Sequence, residues 1–413
     1  MAPPGRLSMA NPEASGGERS ASMSRGPLAG LRVVEIASIG PGPYAGMLLA
    51  DLGADVIRIE RPGAFDGGKT EPTLRNRRHM MLNLKDPESI EVVLKLVERS
   101  DVLLEGFRPG VTERLGIGPE ACRERNPGLI YARITGWGQE GPLAKTAGHD
   151  INYIALTGML HQIGPPGGKP VPPLNVIGDY GGGGLMVAFG IVCALYERMR
   201  SGEGQVIDSA MIDSVISFMA PLMGLQNRGL WKDATGMNFL AGGAHFYDTY
   251  ETRDGKWFAV GAIEPQFHRL LLSKLGLEYA EFLEGEGFQR HPYEKLIVEI
   301  WPALRAKLAA AIKSRTFDEM RMLFDETDAC TVPVLTMEEA TSHPHNMARV
   351  AFIEIDGIKQ NAPVPRFSRS VPTSPQAARA VDADNRTILQ ELGYSASQID
   401  QLIKSSPKIR ELG

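Results

Sequence analysis

An imidazole and a carboxylate, each next to a glycine and each leading into an apolar stretch, are the side chains in this sequence best placed to do chemistry. His149 lies in Gly148-His149-Asp150 and feeds the apolar segment 151–162. Asp179 lies in Gly178-Asp179-Tyr180-Gly181-Gly182-Gly183-Gly184 and feeds the apolar segment 185–195. Both positions read as helix starts. Glycines let the backbone turn tightly and leave N–H groups exposed. A helix start offers those N–H groups, and a positive dipole end, to a developing negative charge. An imidazole, a carboxylate and an oxyanion site together suit removal and return of a proton on a carbon next to a carbonyl. The competing reading is structural, because a His-Asp pair often only orients itself and a glycine run often only permits close packing. On these two stretches alone the structural reading is the stronger. The rest of the chain shifts the balance.

The elements that must hold these residues follow from periodicity. Segments 31–36, 56–59, 80–84, 102–105 and 129–134 read as buried strands, and 44–52 and 87–100 as helices. Strands alternating with helices predict an α/β domain with a Rossmann-like parallel sheet and helices on both faces. In such a sheet ligands bind outside the carboxyl ends of the strands. After the glycine run come residues 205–211 and an apolar helix with Met211, Met219 and Met223. Methionine repacks around variable apolar shapes, although a methionine stripe is more often plain core. Residues 246–261 read as a hairpin with Arg253-Asp254-Gly255-Lys256 at its turn, and 266–275, 293–314 and 317–327 as helices. Glu264 sits where the hairpin meets the first of these helices. Residues 352–355 and 387–404 resume strand and helix.

A chain of 413 residues exceeds one ordinary core. The expected organisation is a disordered tail over 1–27, a large α/β domain over 28–225, a linker over 226–243, a smaller α+β domain over 244–330, and a linker and return to the large domain over 331–413. The tail is Gly/Ser/Pro-rich and carries no apolar core of a secretory signal. A net charge of −5 gives no global basic field, so neither nucleic acid nor an anionic membrane is expected as a partner. Cys122, Cys193 and Cys330 lie far apart, with no CxxC or Cys/His spacing. No metal site is expected, and free thiols point to a reducing, cytoplasmic compartment. The longest apolar run, 185–195, falls short of the roughly 20 residues a bilayer requires.

The first strand is followed by Gly40-Pro41-Gly42-Pro43-Tyr44-Ala45, which satisfies G-x-G-x-x-A, and Glu60 follows where a ribose-binding acid would stand. That motif works by presenting backbone N–H groups to a pyrophosphate, and Pro41 and Pro43 have none. The loop is therefore read as a rigid turn and not as a nicotinamide site. Positive charge lies further on, at Arg61, in Arg75-Asn76-Arg77-Arg78, at Lys85, in Gly106-Phe107-Arg108-Pro109-Gly110, and at Arg114. Cations at the ends of neighbouring parallel strands would converge in one crevice, where the guanidinium fork suits phosphate. The bland alternative is a solvated surface.

These stretches recur in a fixed order: LRVVEIASIGPGPYAGMLLADLGADVIRIERP, RNRRHMMLNLK, GFRPGVTERLG, ITGWGQEGP, AGHDINYI, GDYGGGG and AIEPQF, then PVLTMEEA and PRFSR. Each is weak alone. The ordered set is specific, and it resembles the class III CoA-transferase family, within it the racemase subgroup, over nearly all of the chain past the tail. The resemblance implies an acyl-CoA substrate whose diphosphate and 3′-phosphate occupy the cationic set. It implies CoA contacts at Arg61, Leu82, Asn83, Leu84, Lys85, Gly106, Phe107, Arg108, Arg114, Gly148, Ile151, Asn152 and Tyr153. It makes His149 and Asp179 the catalytic bases, with Asp150 beside them and Glu264 next to the histidine from the partner subunit. It further implies an interlocked homodimer, an acyl group resting on a methionine-rich surface, and no cofactor beyond the CoA moiety of the substrate.

The implied reaction interconverts the epimers of a 2-methylacyl-CoA by two-base proton transfer through an enolate. His149 serves in both directions because imidazole is neutral or protonated near neutral pH. Asp179 must carry a proton in one direction, which requires a raised pKa and partial burial. The enolate oxygen would take hydrogen bonds from backbone N–H groups near Asp150. The alternative is a class III CoA-transferase, in which the aspartate at 179 is a nucleophile forming an acyl anhydride. The histidine at 149 marks the racemase subgroup. A non-catalytic CoA-binding protein would keep the arginines and lack the acid/base pair.

Overall fold

The computed structural model describes residues 26–64, 67–282 and 298–405. Residues 1–25 of the expected tail and residues 293–297 of the expected helix 293–314 lie outside the described residues. Six strands form one parallel sheet: β1 (Arg32–Ile36), β2 (Asp55–Glu60), β3 (Arg78–Met81), β4 (Val102–Glu105), β5 (Ile130–Thr135) and β6 (Val206–Ala210). Their spatial order is β3-β2-β1-β4-β5-β6. The chain builds outward from β1 in one direction, then returns to build outward from β4 in the other. The loops leaving β1 and β4 therefore diverge, and a crevice opens at that reversal.

Strands buried on both faces read as short, mostly apolar runs, as Val102–Leu104 of β4 does; β1 has Glu35 within its run. One face is covered by α1 (Pro41–Asp51). The other is covered by α2 (Pro87–Val97), which packs Val92, Val93, Leu96 and Val97 on the sheet. Asp86 caps α2 by accepting the Glu88 N–H at 3.3 Å, a contact worth about 1 kcal/mol. Two short helices follow on the same side, α3 (Val111–Leu115) and α4 (Pro119–Arg125). C-terminal helices Asn385–Glu391 and Ala396–Ser405 add Ile388, Leu389, Ile399 and Leu402 to that same core.

Three local expectations need correction. The helix expected at 44–52 begins at Pro41, so the Gly-Pro-Gly-Pro stretch is its first turn and not a separate turn. Gly40, at φ 68°, makes the entry, and proline at the first helical position gives up an N–H that has no helical partner anyway. The apolar segment 151–162 is two helices, α5 (Asp150–Leu156) and α6 (Met159–Gln162), parted at Gly158 with φ 82°. The glycine run does not turn at all. It forms a π-helix, Val176–Leu185, that continues directly into α7 (Met186–Ser201).

Packing explains the glycines. A Cβ on Gly183 would sit 2.7 Å from the Pro41 Cβ, and one on Gly184 2.7 Å from the Tyr44 ring. A Cβ on Gly182 would sit 3.0 Å from Val215, on α8 (Met211–Phe218), which α9 (Ala220–Asn227) follows. Close approach of α1 and α8 thus depends on residues without side chains. The continuous helix Val176–Ser201 has 26 residues and is long and apolar enough to cross a bilayer by length and composition, unlike the shorter run read from sequence. Here its Val187, Ala188, Ile191, Ala194 and Leu195 pack against the sheet.

A separate core lies beyond. Strands Tyr247–Glu251 and Trp257–Gly261 pair as the expected hairpin, joined by Thr331–Pro333 as a third antiparallel strand. Helices Pro265–Leu275, Trp301–Lys313 and Phe317–Phe324 pack Leu271, Leu308 and Met320 on it.

Candidate active site

Two loops frame the crevice: residues 38–41 after β1 and residues 106–109 after β4. Two joined cavities of about 590 and 650 Å³ open there. They share Ser38, Ile39, Gly40, Gly106, Phe107 and Tyr180. The first is also lined by Arg108, Trp137, His149, Tyr153, Asn175 and Asp179. Arg58, Glu60, Arg61 and Leu84 line the second.

His149 is the residue preceding α5, and its N–H donates to Asn152 Oδ1 at 3.0 Å. The Tyr153 hydroxyl donates to the Gly148 carbonyl, and its ring meets Trp137 edge-on with centroids 4.8 Å apart. Gly136 admits that ring, since a Cβ there would collide with it. The histidine backbone is thus held on both sides, while its ring stays exposed.

Asp179 is half-buried on the first turn of the π-helix. Asn175 Nδ2 donates to its Oδ2 at 3.0 Å, and Gly40 leaves it room, a Cβ there standing 3.3 Å from Oδ2. Asp150, buried at the start of α5, accepts the N–H groups of Gly178 and Asp179. Burial pushes the Asp179 carboxyl above its ordinary range, and the Asp150 charge pushes the same way against the Asn175 bond and His149. A carboxyl with a raised pKa and an exposed imidazole therefore line one cavity.

The expected CoA contacts divide. Arg61, Leu84, Gly106, Phe107, Arg108, Gly148 and Tyr153 line the crevice. Lys85 and Arg114 are exposed but line neither cavity, and Leu82 is buried in the sheet core. Ile151 and Asn152 stand exposed on α5, with the Asn152 side chain spent on His149. Glu264 precedes helix Pro265–Leu275 and lies close to Cys330, not in either cavity.

Arg75, Arg77 and Arg78 do not join the crevice. They lead into the amino end of β3, whereas ligands face the carboxyl ends. Arg75 pairs with Asp51 at 2.5 Å, Arg77 with Glu35 at 2.8 Å, and Arg78 with Asp55 and Glu391 at 2.7 Å. Full burial pulls the Arg77 guanidinium down to about 10.

Sequence reading missed Arg58, set Glu60 aside with the nicotinamide motif, and missed Ile39, Trp137, Asn175 and Tyr180. Charged Glu35 and Arg58 inside otherwise apolar strands were the available signal for the first two. They form a buried network in which Arg58 pairs with Glu35 and with Glu60. Among the described residues no group of three or more His, Cys, Asp or Glu side chains is placed to hold a metal ion.

The model of CoA-transferase family III matches residues 28–383. The chain is 47% identical over 379 residues to alpha-methylacyl-CoA racemase of Mus musculus, covering 91% of this chain and 96% of the relative. It is 43% identical to alpha-methylacyl-CoA racemase of Homo sapiens, covering 93% and 97%. Succinyl-CoA–D-citramalate CoA-transferase of Chloroflexus aurantiacus is 32% identical, covering 89% and 94%. The crystal structure of a CAIB/BAIF family protein from Brucella suis superposes with a TM-score of 0.75 at 28% identity, covering 89% and 99%.

Proposed function

The chain belongs to CoA-transferase family III, and from that premise we propose that it is a racemase interconverting (2R)- and (2S)-2-methylacyl-CoA thioesters. One observation carries the reading: His149 and Asp179 line the same cavity. The thioester carbonyl acidifies the α-carbon. His149 takes the α-proton from one face, an enolate forms, and protonated Asp179 delivers a proton to the other face. In reverse the roles exchange. The raised carboxyl of Asp179 supports its acid role, and the N–H groups of Asp150 and Ile151, which open α5, are the nearby backbone donors for the enolate oxygen. Arg61 and Arg108 hold the CoA phosphates, and Met211 faces the acyl group. The chemistry asks for no cofactor beyond the CoA moiety. The names of the mouse and human relatives support the same reaction.

The acting species is an interlocked homodimer. In one chain Glu264 does not line the His149 cavity, which supports its delivery from the partner subunit. The three free cysteines support a reducing, cytoplasmic setting.

Protein in deuterated water should place deuterium at the α-position of either epimer and interconvert the two without an acceptor acid. His149→Ala and Asp179→Asn should each lose about 10²–10⁴-fold of the interconversion while keeping slow exchange through the remaining base. Full activity in His149→Ala would sink the reading. The transferase alternative is supported by the relative named succinyl-CoA–D-citramalate CoA-transferase, and it predicts that hydroxylamine traps an acyl group on Asp179.

A further inference from the structure

Beneath residues 106–109 lies a carboxylate that the proton transfer does not use. Glu105 ends β4 and is fully buried. It accepts the Phe107 N–H at 2.6 Å and Arg133 Nε at 2.9 Å. Arg133, on β5, carries the connection to α3: its Nη1 donates to Glu113 at 2.8 Å and its Nη2 to the Thr112 hydroxyl at 3.4 Å. Tyr131, also on β5, is the further titratable group whose ionisation senses Glu105. One run of charges thus joins the loop bearing Phe107 and Arg108 to the helix bearing Arg114.

The facing wall is held in the same manner. Arg58, paired with Glu35 and Glu60, donates from Nη2 to the Ser38 carbonyl at 3.2 Å. The walls meet where a Cβ on Gly106 would stand 3.0 Å from the Ser38 Cβ. A buried ion pair is poor at adding stability, because desolvation consumes most of the attraction. What it does well is fix direction, since a carboxylate accepting a backbone N–H leaves that loop one orientation.

We propose that Glu105 is a positioning residue for the CoA thioester, holding the Phe107 N–H so that Phe107 faces both cavities and Arg108 faces the acid/base cavity. This rests on the acyl-CoA reading given above. Burial also pushes the Glu105 carboxyl up to about 6, so the ionised acceptor is lost as pH falls through that value and the loop loosens.

The test uses the whole protein with free CoA as probe and a 2-methylacyl-CoA as substrate. Glu105→Gln keeps the shape and removes the charge. Its Kd for CoA and its KM should rise about tenfold while kcat at saturation stays within about twofold. Glu113→Gln, at the half-exposed far end of the run, should move KM in the same direction by a smaller factor. If Glu105→Gln does not fold, Glu113→Gln decides alone. A fall in kcat with KM unmoved, or CoA binding equal to wild type in the folded variants, overturns the positioning role. Wild-type protein that binds no CoA overturns both this role and the acyl-CoA reading, so the two failures are distinct.

Discussion

The carboxylate of Asp150 is bonded to the backbone of Asp179: Oδ2 accepts the Asp179 N–H at 2.9 Å and the preceding Gly178 N–H at 2.6 Å. Asp150 follows His149 directly, so one side chain joins the two elements that carry the proposed acid/base pair. It fixes distance and also places a negative charge beside a half-buried carboxyl. The group that positions Asp179 thus also adds to the rise that burial gives its pKa.

Asp150→Asn separates those two roles, because the amide oxygen still accepts the N–H groups while the charge is gone. Burial remains the main cause of the raised Asp179 pKa, and removing the Asp150 charge brings the carboxyl partway down. Asp179 then loses its proton at lower pH. In the direction where Asp179 donates, the high-pH limb of the kcat profile should move toward acid, whereas the opposite direction gains a wider range. Initial rates from each pure epimer against pH decide it. Identical limbs in variant and wild type would remove Asp150 from the account.

Arg61 and Arg108 face the crevice and, among the described residues, carry no ion pair. Arg61→Ala and Arg108→Ala should raise KM with little change in kcat, because contacts to the CoA phosphates are equal in ground and transition states. Arg75→Ala should instead lower the melting temperature, since it strands the buried Asp51. Titration with CoA and thermal melts of the three variants distinguish the sets. Unchanged CoA binding in both crevice variants would mean the phosphates lie elsewhere.

That contrast marks where sequence stops being informative. Both groups of arginines read alike as cations next to strands, and only the direction of β3 separates them. The strands themselves were legible, because short apolar runs such as Val102–Glu105 are bounded by polar residues. The start of α1 was not, since a Gly-Pro-Gly-Pro stretch suits a tight turn as well as a first helical turn. The glycine run read as a tight turn at a helix start. The run is helical instead, and its residues are glycines because Pro41, Tyr44 and Met211 leave no room for side chains there, a tertiary constraint that local sequence does not carry. His149 and Asp179 were recognisable from residue type, but the Asn175 contact becomes visible only once residues four apart are known to share a helical turn.

The smaller core holds an acid-sensitive pair. His245 and His268 are buried with ring centroids 5.1 Å apart, against Phe246, Phe282 and Tyr279. Burial pulls His245 down to about 3, helped by His268 and Arg305, and pulls His268 down to about 4. In the unfolded chain both would titrate near 6.5. The unfolded state therefore binds more protons as pH falls below about 6.5, and stability declines from there toward the folded values. Above that range the pair contributes no slope. Thermal melts between neutral pH and pH 4 should show this decline, and His245→Phe should reduce its steepness by about half. Equal slopes in the two proteins would contradict it.

Helix α7 carries an exposed apolar stripe. Leu185, just before it, and Phe189, Val192, Tyr196 and Met199 along it are 53, 61, 43, 64 and 83% exposed. Their spacing alternates four and three residues, the seam of a helix that packs against another helix. Single exposed apolar residues are ordinary, but a continuous stripe marks an interface. A two-fold axis lets the same stripe face itself on a second copy, which requires no other partner. Phe189→Lys would place like charges in that seam. In an interlocked dimer folding and association are inseparable, so the variant should lower the melting temperature and the yield of folded dimer, read by thermal melts and analytical ultracentrifugation. A variant that assembles and melts like the wild type, or a wild-type monomer with full activity, would refute the seam.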